Sequence, residues 1–427
     1  MISVLFISLT VSLMMGIPVA FAIGISTMLF LLSGGDIAMV IMAQKVVDGI
    51  NSFPLMALPL FVLSGGLMGF GSTPRIMNLA NMLLGKRRWG LGSAGIVGCA
   101  VFGTISGSGV ATASAIGGVI APEMIRQGYP KGFTASIIAG AGTMGAVIPP
   151  SISFVVYSQV AGTSIANMFA AGIVPGCLCC FFLTLLNRYL VVRKGICQDL
   201  VPHKYTAEEK RDIIKDAILP LLTPVIILGG VFSGFMTPTE AAAVAVVYAT
   251  ILSVCVYKEL DSFHKFFRVC GESAVTSAVI LLIMGFATAF AWGLTTENIA
   301  HIFADWVLSI SNHQLVVYSC ILLILLIMGT FMECLAIILL TTPIFLPILA
   351  SLGVDPVSYG VVLNMSTCVG AVSPPLAVTL FTACRVVKIG MEDTFPYVLY
   401  VLGVMTFATI LVMIWPPLAT FLPSVLL

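Results

Sequence analysis

The sequence predicts an all-α integral membrane protein whose two halves carry opposite topology. Three observations point there. Of the 427 residues, 59% are hydrophobic and only 9% charged, whereas a soluble domain carries about 25% charged residues. The apolar residues gather in runs long enough to cross a bilayer. Two short motifs from the first half recur, in order, in the second.

So few charges cannot cover a globule of this size with a water-facing surface, and the mean hydropathy of +1.13 agrees. The net charge of +1 says nothing about acidic partners, and the chain has no basic cluster for nucleic acid. Most of the eleven cysteines lie inside apolar runs, where they read as small hydrophobes. Cys177 and Cys180 form a CxxC without a second pair, which is weak support for a metal or redox site. Met1 leads into an apolar run reaching Leu32, too long for a signal peptide, so the run reads as a first span.

A span needs about 20 apolar residues. The runs that qualify are 2–32, 53–71, 132–162, 166–192, 217–236, 238–257, 271–293, 357–384 and 394–415. Two more, 91–122 and 314–352, are long but interrupted. The polar segment 193–216 reads as a loop with a short surface helix joining the halves.

Lys and Arg in short loops mark the cytoplasmic side. They cluster at Lys86-Arg87-Arg88, at Arg126 and Lys131, across 188–215, at 258–268, and at Arg385 and Lys388. The stretch 91–122 has basic loops at both ends, so it must enter from the cytoplasm and return. Ser106, Gly107, Ser108 and Gly109 stand at its middle. Glycines and hydroxyls at that depth fit a re-entrant hairpin enclosed in protein. The stretch 314–352, with poorly charged loops at both ends, is expected to be its mirror image from the outer face.

The repeat is also written in the residues. Gly145-Ala146-Val147-Ile148-Pro149-Pro150 recurs as Gly370-Ala371-Val372-Ser373-Pro374-Pro375, and Gly103-Thr104 as Gly329-Thr330. The spacing from the first glycine to the second motif is 42 residues in one half and 41 in the other. An inverted repeat with broken helices at mid-membrane is a transporter design.

Proline lacks an N–H and crowds the carbonyl four residues back. Pro149 and Pro150 should therefore free the carbonyls of Gly145 and Ala146, and Pro374 and Pro375 those of Gly370 and Ala371. A hard cation such as Na⁺ suits such oxygens. Ser106, Ser108 and Thr330 are the nearest hydroxyls in the pattern. The plain alternative is a proline kink capped by water or a neighbouring serine. Broken helices also expose N-termini whose partial positive charge suits an anion.

Glu333 is the lone charge within 314–352 and, as an intramembrane carboxylate, a functional candidate. Its plain reading is a residue at a water-filled hairpin tip. Arg385 can attract an acid or serve as a cytoplasmic anchor. Glu240, after Thr237-Pro238-Thr239, reads as an acidic helix start.

These residues resemble a known family. Pro54 to Gly65 (PLMALPLFVLSG), Gly103 to Ser108 (GTISGS), Gly145 to Pro150, Pro238 to Ala242 (PTEAA) and Gly370 to Pro375 are similar to the large membrane subunit of TRAP transporters, over essentially the whole chain. The resemblance implies an elevator-type, sodium-coupled importer of organic acids in the bacterial inner membrane. Such a subunit works with a small four-helix membrane subunit, expected here to be separate because no extra spans precede the pattern. It receives substrate from a periplasmic binding protein.

By the same resemblance, scaffold spans and a first arm helix (73–85) occupy 1–90. Residues 91–165 form the first transport half, with its hairpin and broken helix. Scaffold spans and the cytoplasmic linker 193–216 occupy 166–297. A second arm helix covers 298–313, the second transport half 314–384, and a terminal span 385–427. One sodium site falls at Ser106, Gly145, Ile148 and Pro150. Its mirror falls at Gly329, Thr330, Gly370, Ser373 and Pro375. Substrate is expected near Ser108, Ser151, Ser153, Glu333 and Arg385. The hydroxyl-rich neighbourhood favours sialic acid, with C4-dicarboxylates next.

Other classes fit less well. A primary pump lacks the G-x-x-x-x-G-K-[ST] phosphate loop. An enzyme lacks a nucleophile–base or metal constellation in the membrane. The serious rival is a stand-alone sodium- or proton-coupled carrier of a carboxylate.

Overall fold

The computed structural model describes residues 2–34, 38–196, 205–298 and 313–427. Among these, all regular structure is helical, and seven helices are long and apolar enough to cross a membrane.

The apolar run 2–32 is not the single span expected. It folds into two helices, Ile2–Met14 and Val19–Ser33, packed on each other, because Gly16 turns the chain at φ +77° ahead of Pro18. Nor does 205–216 form a separate surface helix. A capping box between Thr206 and Glu209 starts one continuous helix, Ala207–Phe232, that runs on into the apolar segment. Helix Val40–Ile50, which hydropathy does not reveal, packs along Phe263–Thr296.

Helix Ala57–Leu84 loses helical geometry at Phe70 (ψ 121°) and Gly71 (φ +81°), separating a span from the expected arm. Three contacts brace this break. Arg75 stacks 3.7 Å over the Tyr257 ring, pairs with Glu259 at 3.3 Å and donates to the Gly71 carbonyl. The expected second arm, 298–313, lies almost wholly outside the described residues.

The first hairpin comprises Gly90–Ser106 and Gly109–Arg126. Gly107 closes the first of these helices in the left-handed region (φ +62°), and Ser108 caps the second. The first broken helix follows as Lys131–Gly142, Met144–Val147 and Ile152–Ala161, bent by 46° around Pro149-Pro150.

The second hairpin pairs Gln314–Gly329 with Cys334–Ser351. Cys334–Ser351 qualifies as a span by length, but its four-residue link to the preceding helix and their mutual packing make it a hairpin arm. The second broken helix comprises Pro356–Gly370 and Val378–Val387 around Pro374-Pro375. Tyr397–Ile414 is the expected terminal span, and a further helix, Pro417–Leu426, comes after it.

Between apolar side chains and lipid tails no hydrophobic force pulls helices together, so close packing and hydrogen bonds must do it. The two halves meet around buried tyrosines. The Tyr157 hydroxyl donates to the Pro356 carbonyl at 2.5 Å, and the Tyr157 and Tyr359 rings meet edge-on at 6.2 Å. Tyr318 contacts Tyr359 from the second hairpin, with centroids 6.3 Å apart. Aromatic pairs of this kind contribute about 0.5–1.5 kcal/mol each beyond burial.

Candidate functional site

Each hairpin crosses its own broken helix through a pair of glycines. A Cβ on Gly103 would lie 2.6 Å from the Gly145 Cα, and one on Gly329 would lie 2.7 Å from the Gly370 Cα. No side chain fits between these backbones. The glycines of the two repeated motifs are therefore contact partners, and they bring each hairpin tip to its break.

At the first crossing the tip supplies oxygens. Ser106 is buried, with its hydroxyl 2.7 Å from the Thr112 hydroxyl and 3.3 Å from the Ser108 carbonyl. A Cβ on Gly145 would run into that same Thr112 hydroxyl and lie 2.8 Å from the Ser108 carbonyl. Pro150 reaches the tip too, its carbonyl 3.2 Å from where a Gly107 Cβ would stand. Ile148 is extended, with its N–H bonded to the Met144 carbonyl at 2.8 Å.

The freed carbonyls need correcting. That of Ala146 does not stay open: the Ser151 hydroxyl donates to it at 2.5 Å and the Asn364 amide at 2.6 Å. Ser151 is fully buried and acts as the neighbouring serine cap of the plain reading. In the second repeat, the Gly370 carbonyl accepts from Ser373 N–H at 2.9 Å, and that of Ala371 from Thr379 N–H at 3.0 Å. A carbonyl has two lone pairs, so the Gly370 oxygen keeps one acceptor site.

The second crossing is less rich in hydroxyls. Thr330 donates its hydroxyl to the Ile327 carbonyl at 2.7 Å, and its backbone carbonyl accepts from Leu376 N–H at 3.3 Å. Ser373 turns its hydroxyl back to Val369 at 2.9 Å. Pro375 lies one residue before Leu376, at the same break.

A cavity of about 650 Å³ opens between the two hairpin tips, the two breaks and the helices Ala57–Leu84 and Phe263–Thr296. Ser106, Ser108, Ser153 and Glu333 line it. Ser108 and Glu333 hold the same place in the two hairpins, the N-cap of the returning helix. The Glu333 side chain makes no hydrogen bond or ion pair among the described residues, and it sits at the positive end of a helix dipole facing the cavity. Arg385 is not brought to this cavity. It lines a separate cleft with Lys131, Lys388 and Asp393.

Sequence patterns did not single out Thr112, Asn364, Cys334 or Thr367. The Cys334 sulfur lies 2.8 Å from the Thr367 hydroxyl, 3.5 Å from that of Ser153 and 3.6 Å from Asn364 Oδ1. Among the described residues no three His, Cys, Asp or Glu side chains cluster to hold a metal. A cation held here needs neutral oxygens, and the donor set of Ser106, Thr112 and the Ser108 carbonyl has that character.

Comparison with known proteins agrees with this architecture. Residues 6–418 match the family described as "Tripartite ATP-independent periplasmic transporter, DctM component". The chain is 38% identical to the isethionate TRAP transporter permease protein DctMQ of Oleidesulfovibrio alaskensis, across 94% of this chain, and spans 63% of that protein's length. It is 35% identical to the sialic acid TRAP transporter large permease protein SiaM of Vibrio cholerae, across 96% of both chains. It is 33% identical to the C4-dicarboxylate TRAP transporter large permease protein DctM of Rhodobacter capsulatus, over the full length of each. The fold is also similar to the crystal structure of the Alcanivorax borkumensis YdaH transporter, with a TM-score of 0.57 at 14% identity over 88% of this chain and 89% of that one. Paired hairpins, paired breaks and a match over nearly every residue lead to one assignment: this chain belongs to the DctM-component family of tripartite ATP-independent periplasmic transporters, membrane permeases rather than enzymes.

Proposed function

We propose that the chain is the large permease subunit of a TRAP system in a bacterial inner membrane, and that it carries an organic acid inward with Na⁺. The observation that carries the reading is the convergence of Ser106, Thr112, the Ser108 carbonyl and Gly145 at one glycine crossing, mirrored by Gly329 and Gly370 at the other. Residues Ser106, Gly145, Ile148 and Pro150, joined by Thr112, hold one Na⁺. Gly329, Thr330, Gly370, Ser373 and Pro375 hold a second. Bound Na⁺ supplies counter-charge for the substrate anion, while Ser108, Ser153 and the amide ends of the hairpin helices orient it.

The hairpins and breaks form the moving part of an elevator, and the helices around them form the scaffold. A small four-helix membrane subunit and a periplasmic binding protein complete the system. The DctMQ relative, longer than this chain, is in keeping with fusion of the two membrane subunits in some members. Relatives named for sialic acid, C4-dicarboxylates and isethionate all align with the chain. The serines lining the cavity favour a polyhydroxylated acid such as sialic acid.

The test is uptake into proteoliposomes holding both membrane subunits, with a panel of binding proteins preloaded with different acids. The reading expects uptake of one acid class, driven by an inward Na⁺ gradient. Uptake by this chain alone, without partners, would instead establish a stand-alone carrier.

A further inference from the structure

One buried amide joins the two repeats at the place where the proposed cation sites lie. Asn364 belongs to the second broken helix, six residues before Gly370, and is completely buried. Its Nδ2 donates at 2.6 Å to the carbonyl of Ala146, in the first break. Its Oδ1 faces the thiol of Cys334 at 3.6 Å, the first residue after Glu333 at the second hairpin tip. Its own carbonyl accepts from the Thr367 hydroxyl at 2.7 Å. Asn364 therefore bonds to both the first break and the second tip, beside the direct contact of Cys334 with the Ser153 hydroxyl at 3.5 Å.

Chemistry explains why an amide stands there. The Ala146 carbonyl lost its helical donor to Pro150 and needs another in a dry interior. Ser151 supplies one locally at 2.5 Å. A second donor from the other repeat is not needed to satisfy one oxygen, but it fixes where that oxygen sits relative to the second broken helix. An amide donates and accepts at once, so it can hold a carbonyl on one side and a thiol on the other.

We infer that Asn364 is a positioning residue that couples the two cation sites, holding the first break in register with the second so that filling one site favours filling the other. This rests on the sodium reading given above. It assigns to Asn364 no direct contact with ion or substrate.

The test is equilibrium binding of ²²Na⁺ to the full chain in lipid nanodiscs. Two coupled sites give a Hill coefficient that rises towards about 2. Asn364→Leu keeps the branching at Cγ and removes the donor, and Asn364→Ala removes it with a smaller side chain. Either variant, if monodisperse, is expected to bring the Hill coefficient to about 1 and raise half-saturation roughly tenfold, about 1.4 kcal/mol. Ser151→Ala is expected to weaken binding with cooperativity retained, since the cross-repeat bond remains.

A purely structural role would lower the number of competent molecules without changing the Hill coefficient, and that result overturns the inference. So does cooperativity lost equally in Ser151→Ala, or wild-type binding with no cooperativity. Wild-type protein that binds no ²²Na⁺ removes the sodium reading itself. Cooperative wild type with unchanged Asn364 variants removes only the role of Asn364.

Discussion

Gly103 and Gly145 touch backbone to backbone: a methyl group on Gly103 would overlap the Gly145 backbone, and one on Gly145 would run into Thr112 and the Ser108 carbonyl of the same hairpin. Gly329 and Gly370 repeat the contact in the other half. The two motifs that reveal the repeat in the sequence are thus the two sides of one helix crossing, used twice.

Alanine at Gly103, Gly145, Gly329 or Gly370 should therefore destabilise the protein by about 1–3 kcal/mol, the usual cost of overpacking. Gly118 is the control. It lies in the same hairpin, with nothing within 4 Å of its would-be Cβ, and Gly118→Ala should be neutral or stabilising by up to about 1 kcal/mol. Thermal unfolding in detergent checks both. Equal effects at Gly103 and Gly118 would contradict the crossing.

Thr112 should matter as much as Ser106. Its hydroxyl shares the tip with Ser106 at 2.7 Å and stands against Gly145. Thr112→Ala is expected to raise the Na⁺ concentration for half-maximal uptake roughly tenfold, about 1.4 kcal/mol. Thr112→Ser should stay close to wild type. A Na⁺ titration of uptake reads the difference.

Glu333 and Arg385 should separate cleanly. Glu333 faces the cavity, whereas Arg385 lines another cleft. Glu333→Gln is expected to shift substrate KM or the maximal rate by roughly tenfold, in line with a change of about 1.4 kcal/mol. Arg385→Ala should leave KM unchanged. An Arg385→Ala protein with strongly raised KM would place substrate elsewhere.

Arg75 should hold the break at Phe70 and Gly71. Losing its stacking on Tyr257 and its pair with Glu259 should cost about 1 kcal/mol, the scale of a partly exposed cation–π contact. A lower melting temperature in Arg75→Ala and Tyr257→Leu, with no further loss in the double variant, is the expected pattern.

Hairpins, breaks and repeat were legible because their determinants are local: glycine at a left-handed turn, paired prolines, a run of bilayer length. The local view failed where a carbonyl found a distant partner. Nothing near Ala146 announces Asn364, 218 residues away. Thr112 was hidden for another reason. A threonine among the small residues of Gly109–Arg126 looks like helix packing until the fold sets it beside Gly145. The opening run 2–32 misled because apolar length alone does not tell one span from two short packed helices, although Gly16 and Pro18 were there to be weighed.

The central claim is a pair of Na⁺ sites, one in each repeat, and the most direct measurement is the Na⁺ dependence of uptake in Ser106→Ala and Thr330→Ala transporters. Each substitution is expected to weaken apparent Na⁺ affinity roughly tenfold, about 1.4 kcal/mol at one site, and to lower the steepness of the Na⁺ curve. Curves that superimpose on wild type for both variants would contradict the account.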